Sequence, residues 1–311
     1  MATDGSSPVS RFWLCPLYSF KCDAETVTLT KGVEITRISP GFVEYLEKHY
    51  SHRSKTMPSA AKWMASLPGH TDITGITEPL ELSRIGFQEL DRADNLLVDL
   101  MTALRLYQKG RVVAGLLTSA QLHNSEWSYG GTTSWTSVSS IDFFEEEPMY
   151  ELRRPNVPKI NELLQNIRQW RAADVLKTVD TALRRFHSAY HGPIEDRVID
   201  QMIAFESLYI ADEKELGYKL ALRTAFLLGR KRKQIFTDMR NAYGFRGKIV
   251  HGGKQPNRDV LRHITPKTEE YLRQSIRKFL LLLSQGNSLK IIRDKLDENI
   301  LKNGRTLTNR G

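Results

Sequence analysis

The amino-acid sequence predicts an α+β N-terminal domain followed by an all-α, up-and-down helical bundle. The chain has 311 residues, a length typical of about two domains. Before residue 158, apolar residues mix the two-residue period of strands with the 3.6-residue period of helices, whereas beyond it almost every segment follows the helical period. Pro148, Pro155 and Pro158 stand at this change and interrupt regular structure. We therefore expect an α+β sensing or partner-binding domain over residues 1–158, a helical bundle over residues 159–286, and a C-terminal helix with a polar tail over residues 287–311.

The first half alternates strand-like and helix-like segments. Aromatic and β-branched residues predict strands over residues 12–20, 26–30 and 112–117, and an apolar–polar alternation predicts a strand over residues 33–38. Helical spacing is found over residues 42–50 and 96–107, and Gly110 follows the second of these as a C-terminal cap. Residues 51–75 are rich in Ser, Pro, Thr and Gly, which predicts a long surface loop.

The second half predicts a series of amphipathic helices, over residues 160–170, 174–190, 193–211, 216–228, 233–250, 265–284 and 288–301. Pro193 and Pro266 occupy positions typical of a first helical turn, and Gly229 and Gly252 follow helices as caps. Because the loops between these helices are short, neighbouring helices should be antiparallel.

Composition excludes several classes of protein. No apolar run approaches the roughly 18–20 residues that a membrane-spanning helix needs, and the first ten residues are too polar for a secretory signal. Cys15 and Cys22 lack the spacing of a metal site, and His187 and His191 lack the adjacent glutamate of a zinc protease. No glycine-rich phosphate loop is present. We expect a cytoplasmic protein with reduced thiols, no metal, no cofactor and no membrane partner.

The charge of the chain is concentrated in its second half. The net charge is +9; up to Pro158 there are 15 basic and 19 acidic residues, and from Lys159 onward there are 30 basic and 17 acidic residues. A strongly basic helical half indicates a polyanionic partner, of which nucleic acid is the usual one. Charge alone leaves a basic, solvated surface as the alternative.

The helix predicted over residues 233–250 ends in residues that carry chemistry. Arg246 is followed five positions later by His251, and then by Gly252 and Gly253. Positions five apart on a straight helix point about 140° apart. We expect the two glycines to let the chain leave the helix at His251, so that the imidazole turns toward Arg246. The alternative is that a second copy of the chain completes the pair across a two-fold axis.

An arginine and a histidine together are suited to RNA cleavage without a metal ion. Histidine can accept a proton from a ribose 2′-hydroxyl or donate one to the leaving 5′ oxygen. A guanidinium binds two phosphate oxygens and stabilises the charge that grows in the transition state. The product would carry a 2′,3′-cyclic phosphate, and DNA would not be cleaved because it lacks the nucleophile. The spacing by itself is common in helices, so a surface arginine with a helix-capping histidine is the alternative.

Three strings in the helical half carry a family resemblance: MIAFESLY at residues 202–209, LALRTAFLLG at residues 220–229 and YGFRGKIVHG at residues 243–252. They resemble the Apea-like subgroup of HEPN domains over roughly residues 180–284, and the last string is similar to its signature Y-x-x-R-x-K-I-V-H-G. The resemblance implies a HEPN helical bundle, frequent dimers and metal-independent ribonuclease activity in toxin or anti-phage defence. Arg246 and His251 match its catalytic motif, and Gly247 stands where many relatives carry a polar residue.

Further residues are candidates for the same site. Glu206 lies among apolar residues and needs a partner if it is buried, which favours a structural ion pair. The alternative is a supporting role at the site, in which Glu206 orients Arg246 or Arg223. The basic residues closest to the motif in sequence are the candidates for RNA binding: Lys231, Lys233, Arg240, Lys248 and Lys254.

The sequence therefore predicts a metal-independent endoribonuclease that acts on RNA as a homodimer, with a protein or ligand partner for its N-terminal domain. Two alternatives stay open. One is a non-catalytic module that binds RNA or a nucleotide through the same cationic face, and the other is an interaction protein whose bundle mainly dimerises.

Overall fold

The computed structural model describes residues 10–50, 61–69, 79–123, 126–134, 148–173, 177–211, 215–229, 231–253 and 256–303. The chain divides into two compact units, residues 1–165 and 166–311. The first unit combines an antiparallel sheet with helices and the second is helical, which confirms the predicted order of an α+β region and then a helical region. The division lies beyond Pro158, inside a helix that begins at Val157.

The first unit is built on one large sheet. Its strands are β1 (Ser10–Tyr18), β3 (Thr26–Thr28), β4 (Glu34–Arg37), β5 (Trp63–Pro68), β6 (Val113–Ala114), β7 (Leu117–His123) and β8 (Glu126–Ser134). The strand order is β3-β4-β5-β1-β7-β8, with β6 also pairing with β1, and all of these pairs are antiparallel. Two further short strands, β2 (Phe20–Cys22) and β9 (Tyr150–Leu152), pair in parallel.

Helices cover both faces of this sheet. On one face Phe42 and Leu46 of α1 (Pro40–Tyr50) pack against Leu14 of β1 and its neighbours. Residues that alternate with Leu14 point to the other face. There Cys15 lies near α2 (Pro79–Tyr107), and the charge of Asp94 in that helix contributes to raising the pKa of the Cys15 thiol. The sheet is therefore the buried centre of the unit.

The prediction of a loop over residues 51–75 is wrong for β5, which lies between β4 and β1. Its residues from Trp63 to Leu67 are all buried. A strand that is covered on both faces has no apolar–polar alternation, so the pattern that reveals a half-exposed strand was missing. The remainder of that prediction, residues 51–60 and 70–75, lies outside the described residues.

The helices that follow are α3 (Val157–Ala173), α4 (Thr178–Ser188), α5 (Ile194–Tyr209), α6 (Leu216–Leu228), α7 (Arg232–Val250), α8 (Arg258–Ser284) and α9 (Leu289–Asn303). Within the second unit, α5 is central and packs against α4, α6, α7 and α8. Its buried side chains include Met202, Phe205 and Tyr209. The helical periodicity of the sequence located these helices well.

The start of α8 differs from the prediction that Pro266 opens it. The helix begins at Arg258, where the side chain of Asn257 accepts a hydrogen bond from the Asp259 amide at 2.9 Å. Pro266 therefore lies inside the helix. Proline removes one hydrogen bond there, and the burial of Leu261, Thr265 and Leu272 on the inner face of α8 offsets this loss.

The C-terminal helix α9, which the sequence predicted with a polar tail over residues 287–311, lies in the helical unit. Arg293 donates to the carbonyls of Ser207 and Leu208 in the last turn of α5. Asp297 accepts two hydrogen bonds from Arg223 of α6, at 2.8 and 2.7 Å. These contacts attach α9 to two neighbouring helices. Residues 304–311 lie outside the described residues.

A buried ionic network joins α4, α5 and α8. Glu269 accepts hydrogen bonds from Arg197 at 3.2 Å, from Arg273 at 2.7 Å and from the hydroxyl of Tyr190 at 2.9 Å. Arg273 also contacts Glu270. Both oxygens of the Glu269 carboxylate thus have charged or hydroxyl partners. We refer to Tyr190, Arg197, Glu269 and Arg273 as the buried network.

Two further findings concern helix length and the cysteines. Within the described ranges, no helix combines the length and the apolar character that crossing a membrane requires. Cys15 and Cys22 are both free and buried, and burial raises the pKa of the Cys15 thiol to about 12. A thiol with so high a pKa is a poor nucleophile, and burial raises the pKa of the Cys22 thiol as well.

Candidate nucleic-acid interface

The candidate site lies on an antiparallel hairpin of two helices, α6 and α7. Gly229 has a positive φ of 77° and closes α6, and α7 begins three residues later. Because the two helices are antiparallel, residues early in α7 face residues late in α6. Arg232 lies over the ring of Phe226, and Arg240 lies over the ring of Tyr218. The hairpin therefore presents the basic residues of α7 beside the aromatic residues of α6.

Arg246 lies in the last turns of α7 and points to α5. Its guanidinium Nη2 is 3.9 Å from Oε2 of Glu206, and its Cζ is 6.0 Å from the ring centroid of Tyr243. Nε of Arg246 and Oε1 of Glu206 are buried atoms without a hydrogen-bond partner among the described residues. The guanidinium is thus oriented by a carboxylate and a ring, and part of its hydrogen-bonding capacity remains unused.

Tyr243 links the three helices. Burial, and after it the charge of the Glu206 carboxylate and a hydrogen bond to it, raise the pKa of Tyr243. Its ring lies directly against Gly217 of α6, where an added Cβ would be 2.6 Å from Cδ1 of the ring. Gly217 is therefore the residue that lets this ring approach α6. The ring in turn sits beside both members of the Arg246–Glu206 pair.

His251 caps the C-terminal end of α7 in a Schellman arrangement. Gly252 has a positive φ of 70°, and the amide of Gly253 donates to the carbonyl of Lys248 at 3.1 Å. The amide of His251 still donates to the carbonyl of Gly247 at 3.0 Å, as in a regular helix. The His251 side chain is exposed and has no hydrogen-bond or ionic partner among the described residues.

The two motif residues leave the helix in different directions. Because His251 keeps its helical hydrogen bond, its Cα stays on the helical path and the turn begins only at Gly252. Arg246 and His251 then point about 140° apart around the axis, the angle of an uninterrupted helix. Among the described residues no hydrogen bond or ionic contact joins the side chains of Arg246 and His251, and the expected swing of the imidazole toward Arg246 stays a prediction.

The other predicted cations are distributed along α7. Lys248 lies between the two motif residues, Arg240 lies nearer the middle of the helix, and Lys231 and Lys233 lie at its start. All four are exposed, and none pairs with a carboxylate among the described residues. Lys233 is about 20 Å from Arg246 along the helix axis, from a rise of 1.5 Å per residue. Lys254 lies outside the described residues.

Arg223 is not part of this cluster. Its guanidinium makes a bidentate pair with Asp297 and also donates to the carbonyl of Tyr209. Glu206 has Arg246 rather than Arg223 as its ionic partner. Arg223 therefore attaches α9 to the rest of the unit and leaves Glu206 to Arg246.

The described residues hold no cluster of three or more His, Cys, Asp or Glu side chains with the geometry of a metal site. His187 and His191, which the sequence places four positions apart, have ring centroids 5.2 Å apart at the end of α4. A pair of imidazoles without a third ligand falls short of the three protein ligands of a catalytic zinc site.

Sequence reasoning missed three residues of this region. Gly217 and Tyr218 in α6 and Tyr243 in α7 surround Arg240 and Arg246 in space. Tyr243 belongs to the matched string, and its position three residues before Arg246 could have indicated a contact on one helix face. The contribution of α6 depends on how the two helices pair, which no local pattern reveals.

Comparisons with protein-family models, with curated proteins and with solved structures return no match for this chain. The resemblance to HEPN domains is therefore an expectation that depends on the residues themselves.

Proposed function

We propose that this chain is a metal-independent endoribonuclease of the HEPN type, with Arg246 as the phosphate-binding group and His251 as the proton-transfer group. The observation that supports this most is the incomplete pairing of Arg246. A contact of 3.9 Å to Glu206 orients the guanidinium, while its buried Nε has no partner among the described residues. Other buried side-chain atoms of the described residues also have no hydrogen-bond partner, so the proposal depends on the position of Arg246 beside Glu206 and in the motif as well.

The reaction follows from the properties of the two side chains. The imidazole of His251 accepts the proton of the ribose 2′-hydroxyl, and the 2′ oxygen attacks the adjacent phosphorus. The bond from phosphorus to the 5′ oxygen breaks, and that oxygen takes up a proton from water. Arg246 neutralises the negative charge that grows on the phosphate oxygens. The products are a 2′,3′-cyclic phosphate and a free 5′-hydroxyl.

The angle of about 140° between the two side chains favours a site that is shared between two copies of the chain. Arg246 of one copy would meet the exposed imidazole of the other copy across a two-fold axis. RNA and a second copy of this chain are therefore the partners of the proposal. The resemblance alone suggests a role in toxin or anti-phage defence, and a protein or ligand bound by the first unit would then regulate the activity.

A first experiment compares the wild-type protein with His251→Ala and Arg246→Ala on mixed cellular RNA, followed by chemical mapping of the fragment ends. We expect cyclic phosphate ends with the wild type and none with either variant. The matched control is His263→Ala, which removes an exposed histidine of α8 that is bonded to Lys267. Equal cleavage by wild type and His251→Ala would refute the proposal.

A second experiment tests the shared site by co-expression of the two inactive variants. A mixed dimer of His251→Ala and Arg246→Ala retains one intact site of two, and random pairing makes half of all dimers mixed. The mixture should therefore show about a quarter of the wild-type cleavage rate, although each variant alone is inactive. A mixture without activity would contradict the shared site.

A second candidate function is a non-catalytic module that binds RNA or a nucleotide. The divergence of Arg246 and His251 within one chain favours it, because the exposed cations of α7 do not depend on that pair. This function predicts binding that weakens steeply with salt, and no cyclic phosphate ends. A stable dimer without affinity for RNA at physiological salt would instead support an interaction protein.

A further inference from the structure

An exposed aromatic ring lies beside the basic face of α7. Tyr218, in the first turn of α6, is 47% exposed. Its ring meets Phe236 of α7 edge to face, with centroids 5.5 Å apart at 80°, and Cζ of Arg240 is 5.9 Å from its centroid. The ring thus has Phe236 against it and the guanidinium of Arg240 over it. We call Tyr218, Phe236 and Arg240 the Tyr218 platform.

The electrostatic surroundings of the platform favour an anion. Arg240, Arg232 and Lys233 are exposed, and none of the three has a carboxylate partner in the described part of the chain. The single acidic residue in the α7 sequence, Asp238, is buried and accepts a hydrogen bond from Tyr271 at 3.0 Å. Exposed Glu215, at the start of α6, is the acidic residue nearest to Tyr218 in the described sequence of that helix. On the α7 side the platform combines positive charge with an aromatic ring, the combination that single-stranded nucleic acid binds.

The platform shares a face of α7 with His251. Arg240, Gly244, Gly247 and His251 are spaced by four, three and four residues, so they form one stripe along the helix. A Cβ added at Gly244 or Gly247 would meet no atom within 4 Å, so the surface between the two ends of the stripe carries no side chain. The distance from Arg240 to His251 along the axis is about 16 Å, from a rise of 1.5 Å per residue. That length spans several nucleotides of an extended strand.

We propose that the Tyr218 platform is a base-stacking subsite for single-stranded RNA, several nucleotides away from the linkage held at His251. An unpaired base stacks on the ring of Tyr218, and Arg240 binds the adjoining phosphate. Bases of a duplex are already stacked within the helix and do not reach the ring, so the subsite selects single strands. The inference deepens the proposed function by naming the form of its substrate, and it depends on that function only for the place of cleavage.

The test measures binding with a probe that cannot be cleaved. A fluorescent, 2′-O-methylated single-stranded oligonucleotide of mixed sequence is titrated with the full chain, and its anisotropy is recorded. Tyr218→Ala should bind about 5-fold to 150-fold more weakly, the range for the loss of one base stack. Tyr218→Phe keeps the ring and should bind within about two-fold of the wild type. Wild-type affinity in Tyr218→Ala, or an equal loss in Tyr218→Phe, would overturn the inference.

Two further variants, Phe87→Ala and Arg240→Gln, serve as controls for the loss of binding in Tyr218→Ala. Phe87 is an exposed ring of the first unit, 67% exposed, and Phe87→Ala should leave binding unchanged. Arg240→Gln should weaken binding and reduce the slope of log affinity against log salt by about 1, because one phosphate contact is lost. Circular dichroism checks that each variant is folded. A fully paired duplex of the same sequence that binds as tightly as the single strand would also overturn the inference.

A failure of the stacking subsite can be distinguished from a failure of the proposed nuclease activity. If binding depends on Tyr218 but the wild type leaves no cyclic phosphate ends on unmodified RNA, the subsite stands and the nuclease proposal fails. If cleavage depends on His251 but neither cleavage nor binding responds to Tyr218→Ala, the nuclease proposal stands and the subsite fails.

Discussion

The helical unit contains two arginine–carboxylate clusters that differ in how completely they are bonded. In the buried network, side-chain exposure is 10% or less for Arg197, Glu269 and Arg273, and both oxygens of Glu269 are bonded at 2.7–3.2 Å. In the other cluster, Arg246 and Glu206 are 25% and 22% exposed and 3.9 Å apart. In the buried network the carboxylate oxygens are fully paired, whereas the hydrogen-bonding groups of Arg246 and Glu206 are only partly paired. We call Arg246 and Glu206 the open cluster.

Similar residues therefore serve different purposes in the two clusters. Desolvated charges that bond to each other satisfy one another and fix the packing of α4, α5 and α8, but they have little capacity left for a ligand. A pair whose side chains are held in place but whose hydrogen-bonding groups are only partly paired contributes less to stability. It retains N–H donors that can bind a phosphate.

This difference in bonding predicts that removing the carboxylate of each cluster lowers stability by very different amounts. Glu269→Ala removes the carboxylate that Arg197 and Arg273 share, so Arg197 loses its ionic partner and Arg273 keeps only Glu270. This should lower the free energy of unfolding by about 3–5 kcal/mol. Glu206→Ala should lower it by less than about 1 kcal/mol, because its pair is longer and partly solvated. Urea unfolding monitored by circular dichroism measures both. Equal losses would remove the distinction between the clusters.

Replacing arginine with lysine should separate activity from stability. Arg246→Lys loses the bidentate fork and should lower the cleavage rate by about 10²–10³-fold with little change in Tm. Arg197→Lys, in the buried network, should lower Tm while the rate per folded molecule stays near that of the wild type. Rate assays on RNA and thermal unfolding give the two readouts. A fall in Tm for Arg246→Lys comparable to that for Arg197→Lys would contradict the assignment.

The positions of the Arg246 and Glu206 side chains should depend on Gly217 of α6. In Gly217→Ala the new methyl group would be 2.6 Å from the Tyr243 ring, so the ring must move. We expect a loss of stability of about 1–3 kcal/mol from overpacking, together with weaker RNA cleavage, because Tyr243 lies against both Glu206 and Arg246. Gly244→Ala is the matched control, since its methyl group meets nothing within 4 Å. Similar behaviour of the two variants in unfolding and cleavage assays would refute the role of Gly217.

The smallest effect is expected on the exposed face of α7. Gly247→Ala adds a methyl group in open space within a helix and should raise the free energy of unfolding by up to about 1 kcal/mol, through the higher helix propensity of alanine. Chemical unfolding at two protein concentrations measures it. A decrease in stability that grows with protein concentration would show that a second copy already occupies this face.

The sequence predicted much of the fold and part of the candidate site. Helical periodicity located all the helices from α3 to α9, because each has an apolar face that repeats every 3.6 residues. It placed the start of α8 wrongly, since Pro266 suggested a first turn and the capping side chain of Asn257 stands nine positions earlier. It missed β5, since a strand buried on both faces has no alternation to detect.

For the site, the local pattern identified Arg246, His251 and the exposed cations, and it named Glu206 as a supporting residue. It did not decide whether Glu206 would pair with Arg246 or Arg223, because that choice depends on how α5, α6 and α9 pack. The structure pairs Arg223 with Asp297, which lies 74 residues further along the chain.

Taken alone, the amino-acid sequence determined the order of an α+β region and a helical region, the excess of basic residues in the second, and the spacing of Arg246 and His251. These are properties of composition and of neighbouring residues, which a linear chain already contains. The contacts of Arg246 with Glu206 and of Tyr218 with Arg240, by contrast, come from the folding of the chain. Such contacts depend on the pairing of helices that are distant in sequence, and the free energy that selects one pairing comes from the burial of all their faces together.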